Sequence, residues 1–505
     1  MYQLYRDRPL LILCMILANI ALSAWCLYLD PVINFDGVTY LKVAQLFLDG
    51  RVGDAFEFYS WPFYSLFIAG TAKLLMLDIE TAALVLNTLL ATSLTLAFVC
   101  IVAELSNNNR RIVAIAVLVV LLFPSISKYR SFIIRDFGYL SCYLWSLYFI
   151  LRFCATTDKR HLIGWLVFAG LSSLFRFEGI VFILIAPYFL FLFGATSIPH
   201  RKTILTLLSG LLAISSTALL FWYLNDKYMD SVEMAKNAGQ DIQGLSDLFL
   251  ANIQNGLGQD PPSLLGLARL MLTNIGDVSY ELIRRMAVFF AAFSVYAFLK
   301  MPVLRAQLPR KIWLIYLVTN LLMLLGFNLF NSFLVSRYTM ASALTLLILA
   351  PFTIDHLIVL AKNGTISEKL GTWFALAVLV LVSLEGLNVK TDKEFIKETG
   401  QWIDQNLPKD ARIYTNNKLL AYYSRREGPQ DLDRLYSIDI MKLFIRTGEI
   451  KTFDYVVLIG SNKDLKENTM RQTLEFNYGH QIKSFLVDKD HYSRVHSTSY
   501  YSKVK

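Results

Sequence analysis

The sequence predicts an α-helical polytopic membrane protein that carries a small soluble α/β domain at its C-terminal end, and three observations carry that prediction. Of 505 residues, 55% are hydrophobic and the mean hydropathy is +0.47, too apolar for a water-soluble chain of this length. The apolar residues gather in segments of about 17–25, the length that crosses a bilayer. Beyond about residue 389 they give way to short strand-like and helix-like runs broken by charged and turn residues. The net charge of +9 does not point to nucleic acid, because Lys and Arg stand in short runs between the apolar segments, as orientation signals do. Cys14, Cys26, Cys100, Cys142 and Cys154 lie in or beside apolar segments without metal-ligand or disulfide spacing, and read as packing residues.

Spans are expected near 9–29, 82–104, 111–127, 137–154, 161–176, 179–196, 203–223, 283–299, 312–330, 338–360 and 371–389, about eleven in all. The first has the outline of a signal peptide, with Arg6 and Arg8 ahead of the apolar run. It lacks a small-residue cleavage site, so it reads as a retained span with a cytoplasmic N-terminus. Every second loop then carries cations: Arg110 and Arg111, Lys159 and Arg160, Arg201 and Lys202, Lys300 to Lys311, Lys362 and Lys369. That alternation places the other loops and the tail outside. The expected division is a membrane domain over 1–389, with outer loops 30–81 and 224–282, and an outer α/β domain over 390–505.

The first outer loop holds Asn34-Phe35-Asp36-Gly37-Val38-Thr39-Tyr40 at the head of a helix-like pattern. Its apolar positions, Val38, Leu41, Val43, Ala44, Phe47 and Leu48, form a face suited to the bilayer surface. Asp36 has two readings there, a helix N-cap or a carboxylate held at headgroup depth. Trp61-Pro62-Phe63-Tyr64 opens an apolar stretch too short and too broken by Pro62 to span, and reads as an interfacial or re-entrant helix. The loop near 225–281 has turn signals at Gly256–Gly258 and Pro261-Pro262, with weakly amphipathic segments around 245–254 and 263–275. In the tail, Phe395–Asn406 reads as a helix. Arg412–Tyr414, Tyr455–Gly460, 482–487 and 492–501 read as strands, and the Gly-rich fingerprint of a nucleotide site is missing.

Lys128, Arg130, Arg135, Arg176, Arg284, Arg285 and Arg337 fall at the outer level, where the orientation rule disfavours cations. Near a bilayer such groups need an anion. Internal pairing with Asp136 and Glu178 is one source. A lipid-linked phosphate is the other, since the guanidinium fork matches phosphate oxygens in a bidentate way.

Asp36-Gly37-Val38-Thr39-Tyr40, Trp61-Pro62-Phe63-Tyr64, Arg135-Asp136, Arg176-Phe177-Glu178-Gly179 and Arg337-Tyr338 occur in the order found in GT-C integral membrane glycosyltransferases. The chain resembles the bacterial branch similar to glycosyltransferase family 39, which includes protein O-mannosyltransferases and lipid A aminoarabinose transferases. The resemblance covers essentially the whole chain, and many members end in an outer soluble domain that opens much like Trp402–Pro408. It implies an inner-membrane enzyme, a hexosyl- or pentosyltransferase. Such an enzyme moves a sugar from a polyprenyl-phosphate donor to a hydroxyl of an envelope glycan, lipid or protein at the outer, periplasmic face, with inversion.

By that resemblance Asp36 is the general base and Asp136 the second acid. Arg135, Arg176, Glu178, Arg337 and Tyr338 form the donor phosphate and substrate site. No cofactor is required, and His161, His200, His356, His480, His491 and His496 are too scattered for a metal site. Two departures stand out. Ser60-Trp61-Pro62 replaces the Lys-Pro pattern of the aminoarabinose branch, and Gly37 stands where many relatives carry a second acid. A flippase or transporter of lipid-linked saccharides is the alternative from another class. Transporters commonly show internal repeats and mid-depth charges, whereas here no repeat is evident and the unexplained charges gather at one face.

Overall fold

A computed structural model of the chain describes residues 8–156, 158–184, 264–301, 307–331, 334–389, 393–425, 438–461, 481–486 and 491–497. In chain order the helices of the apolar part are α1 (Pro9–Leu29), α2 (Phe35–Leu48), α3 (Val52–Phe58), α4 (Phe63–Leu75), α5 (Ile79–Leu105), α6 (Arg110–Leu121), α7 (Pro124–Ser127), α8 (Asp136–Thr156), α9 (Lys159–Phe175), α10 (Leu264–Lys300), α11 (Gln307–Asn331), α12 (Met340–Leu347), α13 (Ala350–Asn363) and α14 (Ile366–Glu385). Among the described residues seven stretches are long and apolar enough to cross a bilayer: Pro9–Leu29, Ile79–Leu105, Asp136–Thr156, Ala268–Lys300, Lys311–Leu329, Met340–Asn363 and Ile366–Glu385. The chain is therefore a polytopic helical membrane protein with an extramembrane tail.

Seven, not about eleven, spans are thus described. The expected spans at 179–196 and 203–223 lie outside the described residues except for helical residues 179–184. The one expected at 111–127 is a 12-residue α6 that stops ahead of Phe123-Pro124, and Pro124 opens α7 as a separate turn. The one expected at 161–176 is the 17-residue α9. The segment around 263–275 is not a separate amphipathic loop helix. It runs on into α10, whose helical course is interrupted at Ala287 (φ 51°, ψ 135°). The interruption frees a carbonyl from the helix ladder, and the Ser125 hydroxyl donates to the carbonyl of Arg285 at 2.6 Å. The segment around 245–254 lies outside the described residues.

Chain contacts divide the protein into two compact units, Met1–Ile20 with Leu89–Lys128 and Arg135–Leu387, and Ala21–Thr88 with Tyr129–Ile134 and Asn388–Lys505. Asn388–Lys505 thus belongs to one unit with the first loop. In the first unit α8 is buried along nearly its whole length and packs on α9, while α10, α12 and α13 pack on one another. Ion pairs close helix ends: Arg111 with Asp355, and Arg152 with Glu104 at 3.0 Å.

In the second unit the tail adds α15 (Glu394–Asn406), α16 (Lys418–Tyr423) and α17 (Ile438–Thr447), with a sheet of β1 (Ile413–Thr415), β2 (Tyr455–Ser461), β3 (Gln481–Leu486) and β4 (His491–Ser497) in the order β1-β2-β4-β3. The β1–β2 pair is parallel and the other two are antiparallel. α15 and the four strands are the tail elements that the sequence predicts, within a residue or two at their described ends, while α16 and α17 are not among them. The β1–β2 ladder is extended by Asn416, whose carboxamide donates to the Ile459 carbonyl at 2.8 Å and accepts from the Ile459 N–H at 2.9 Å. Tyr414, Met441, Ile450, Val456 and Leu458 form the core of this sheet.

α4 is 13 residues, about 20 Å at the helical rise, and falls short of a hydrocarbon core of ~30 Å. Pro62 sits at its N-cap, as the reading of Trp61-Pro62 as the opening of a short, non-spanning helix expects. The face of α2 does not lie open to lipid as expected. Val38, Leu41, Val43 and Ala44 are buried and α2 packs on α4, with the Tyr40 and Tyr64 rings edge to face at 5.0 Å. On α2 the exposed large apolar groups are Phe35, which lies outside that expected face, and Leu48.

Candidate functional site

The turn Phe175-Arg176-Phe177-Glu178-Gly179 is set by space. A Cβ at Gly179 would lie 2.5 Å from the Ser172 hydroxyl oxygen and 2.5 Å from the Ser173 backbone nitrogen, so the chain can fold back on α9 only with glycine there. A Cβ at Gly138 would lie 2.2 Å from the Phe175 ring. That glycine lets the end of α9 rest on the first turn of α8, where Asp136 stands. A Gly179→Ala substitution meets backbone as well as side chain, so an overpacking cost of about 1–3 kcal/mol is expected. A lowered midpoint of thermal unfolding in detergent, with Gly170→Ala as the control in open space, checks it.

This close packing brings three sequence-predicted residues together. Arg176 donates from Nη1 to Asp136 Oδ1 at 2.6 Å and from Nε to Glu178 Oε1 at 3.1 Å, and Nη2 also binds Glu178. The guanidinium lies 4.2 Å from the Tyr338 ring centroid and 5.6 Å from that of Tyr139. Stacked between two rings and clamped by two carboxylates, it is 5% exposed. The internal-pairing reading therefore describes the geometry of Arg176. Arg284 is likewise paired, with Glu281 at 2.5 Å, a carboxylate that the sequence reading of the cations did not count.

Above this cluster opens a cavity of about 500 Å³. Arg135, Asp136, Arg176, Glu178, Arg337 and Tyr338 all line it, so six of the seven predicted site residues share one wall system. Three guanidinium groups face two carboxylates among them. The remaining wall is mainly apolar, with Leu140, Val181, Met323, Leu324, Phe327 and Ala341. Asn320 is a polar lining group that the sequence reading missed. It is held by a buried network in which its amide donates to the Tyr143 hydroxyl at 2.7 Å, itself 2.6 Å from the Thr345 hydroxyl. In sequence it is one Asn in an apolar span, and an intramembrane amide was the available signal.

Asp36 belongs to the second unit. The cap reading does not describe it: Asn34 is the N-cap residue of α2, and Asp36 lies inside the first turn, half-buried. The Asn34 side chain instead accepts from the Ile133 N–H at 2.8 Å. Gly37 fits beneath that contact, since a Cβ there would lie 3.0 Å from Asn34 Oδ1 and 3.1 Å from Ile133 Cβ. A second acid at this position would have to push both neighbours back by a few tenths of an ångström. One turn beyond Asp36, Thr39 accepts from the buried ammonium of Lys418 at 2.7 Å, a contact across 379 residues with no local sequence signal. Upstream, the Ile33 N–H donates to the Tyr423 hydroxyl at 3.0 Å. Burial pushes that phenol above its ordinary range, which keeps it protonated.

Among the described residues no group of three or more His, Cys, Asp and Glu side chains converges as metal ligands would. No family model matches the sequence, and no curated protein does. Among solved structures the oligosaccharyltransferase of Archaeoglobus fulgidus, tethered by a disulfide to an acceptor peptide containing the NVT sequon, is similar. The likeness has a TM-score of 0.44 at 12% identity, over 83% of this chain and 60% of that one.

Proposed function

We propose that the chain is a GT-C-type membrane glycosyltransferase that moves a sugar from a polyprenyl-phosphate donor to a hydroxyl of an envelope glycan, lipid or protein. The observation that carries the proposal is the cavity of the first unit, where guanidinium groups meet an apolar wall. A ligand with an anionic head and a long apolar tail matches both parts. The phosphate is assigned to Arg135 and Arg337, whose side chains line the cavity beside the Arg176 cage. Asp136 and Glu178 hold the Arg176 cage at the wall of the proposed substrate site.

In the proposed step the acceptor oxygen attacks the anomeric carbon, the bond from that carbon to the phosphate oxygen breaks, and configuration inverts. The acceptor proton passes to Asp36 as general base, and polyprenyl phosphate leaves with its charge stabilised by the arginines. No nucleotide and no cofactor enters the balance. Mass spectrometry of surface polysaccharide, envelope lipid and envelope protein from cells with and without the gene tests this reading. Loss of one monosaccharide from one fraction is expected, and unchanged composition in all three contradicts it.

The proposed orientation puts the acceptor side outside. Tags after Lys505 and within 225–263 are expected to be reached by an impermeant reagent, and tags near Arg110 and Arg310 to be shielded. A shielded C-terminal tag would overturn that orientation.

A further inference from the structure

The second unit contains a polar cleft of about 750 Å³ that the proposed transfer does not use. One wall is α15, which presents Lys397, Gln401, Asp404 and Gln405 at the spacing of a single helix face. The facing wall is Glu80, in the first turn of α5, with Tyr422, Tyr423 and Arg425 at the end of α16. The Tyr422 hydroxyl donates to Glu80 at 2.9 Å, the two tyrosine rings meet edge to face at 5.2 Å, and the Lys397 ammonium lies 5.5 Å from the Tyr423 ring centroid. Arg425 has φ 51°, in the left-handed region where glycine usually follows a helix, so a long cationic side chain stands here against the backbone preference.

The lining chemistry selects the ligand. Two carboxylates face two cations, so the cleft offers no excess charge for a nucleic acid or a polyphosphate. Its walls are too polar for a lipid chain. Two carboxamides supply donors and acceptors together, which suits hydroxyl groups that do the same, and the tyrosines supply ring faces for C–H surfaces. We propose that this cleft is a saccharide-binding subsite for a chain of neutral sugar units. Its lining residues also hold the segment leading into α2: Tyr423 accepts from the Ile33 N–H, and Lys397 donates to the Pro31 carbonyl at 3.3 Å. A saccharide seated between α15 and α16 therefore bears on the strand of chain that ends at Asp36.

The inference goes beyond the transfer reaction, because binding here needs neither donor nor chemistry. The test uses full-length protein in lipid nanodiscs and linear tetrasaccharides of glucose, mannose, galactose and N-acetylglucosamine, with inorganic phosphate and a sulfated tetrasaccharide as charged probes. Binding is read by saturation-transfer NMR and calorimetry. At least one neutral tetrasaccharide is expected to bind saturably, to lose about tenfold in affinity in Gln401→Ala/Gln405→Ala, and to bind Arg337→Ala unchanged. Both glutamines are exposed, and Arg425→Ala is a second variant with the same expectation should the first fail to fold. Absence of binding by all four neutral probes, undiminished binding in the variants, or binding of the charged probes alone would overturn the assignment. Since Arg337→Ala reports on the other cavity, a failure here is distinguishable from a failure of the proposed transfer.

Discussion

Asp36→Asn is expected to remove transfer while leaving a folded protein that still binds donor. The substitution is nearly isosteric, and the α2 N-cap is Asn34, so no capping contact depends on the charge at position 36. The α2 packing through Val38, Leu41 and Ala44 is untouched. The change removes the proposed proton acceptor, and general-base catalysis is commonly worth about 10²–10⁴ in rate. The deficit should therefore appear in kcat, with donor affinity within a few-fold of the parent. Single-turnover transfer from a radiolabelled polyprenyl-phosphate sugar, alongside a thermal unfolding curve, measures both. Turnover within a few-fold of the parent would move the base to Asp136, whose Oδ1 is already taken by Arg176.

Arg337→Ala is expected to weaken donor binding by roughly 10- to 150-fold, the equivalent of one charge-assisted contact at about 1.5–3 kcal/mol. The choice of Arg337 over Arg176 follows from the geometry. Removing Arg176 takes away the partner of two carboxylates and a stacking group for Tyr338, so its loss disturbs the fold of the site as well as any ligand. Arg337 lines the same cavity, and the two ion pairs of the cage are made by Arg176. Equilibrium binding of a fluorescent polyprenyl phosphate to the purified variants separates the two. A parental affinity in Arg337→Ala would assign that guanidinium to internal contacts instead.

Much of the fold was legible because it rests on local rules. Hydropathy over a window of bilayer length finds α1, α5, α8 and the span through α12 and α13, and strand composition finds β1 and β2. The failures arise where tertiary packing overrides them. The Phe123-Pro124 break shortens α6, and α10 runs helically from Leu264 to a break at Ala287, inside the span expected at 283–299. The α2 face reads equally well as lipid-facing or protein-facing until α4 is seen against it.

The lining of the candidate cavity was legible as a set, since cations at the level that the orientation rule reads as outer drew attention to Arg135, Arg176 and Arg337 together. Their division of labour was not. That Arg176 is clamped by Asp136 and Glu178 depends on Gly138 and Gly179 letting α8 and the turn after α9 come together. The contacts of Lys418 with Thr39 and of Tyr422 with Glu80 join residues 379 and 342 apart, and no spacing rule reaches them.

The central claim is that the arginine-lined cavity serves transfer of a lipid-linked sugar and not its passage across the bilayer. Purified protein reconstituted with a radiolabelled polyprenyl-phosphate sugar and an envelope extract tests it most directly, with Asp36→Asn and Arg337→Ala measured in parallel. The account predicts that label moves to one acceptor, that free polyprenyl phosphate appears in equal amount, and that both variants reduce the transfer. Label that crosses the bilayer still joined to its lipid, with no covalent transfer at any acceptor concentration, would contradict it.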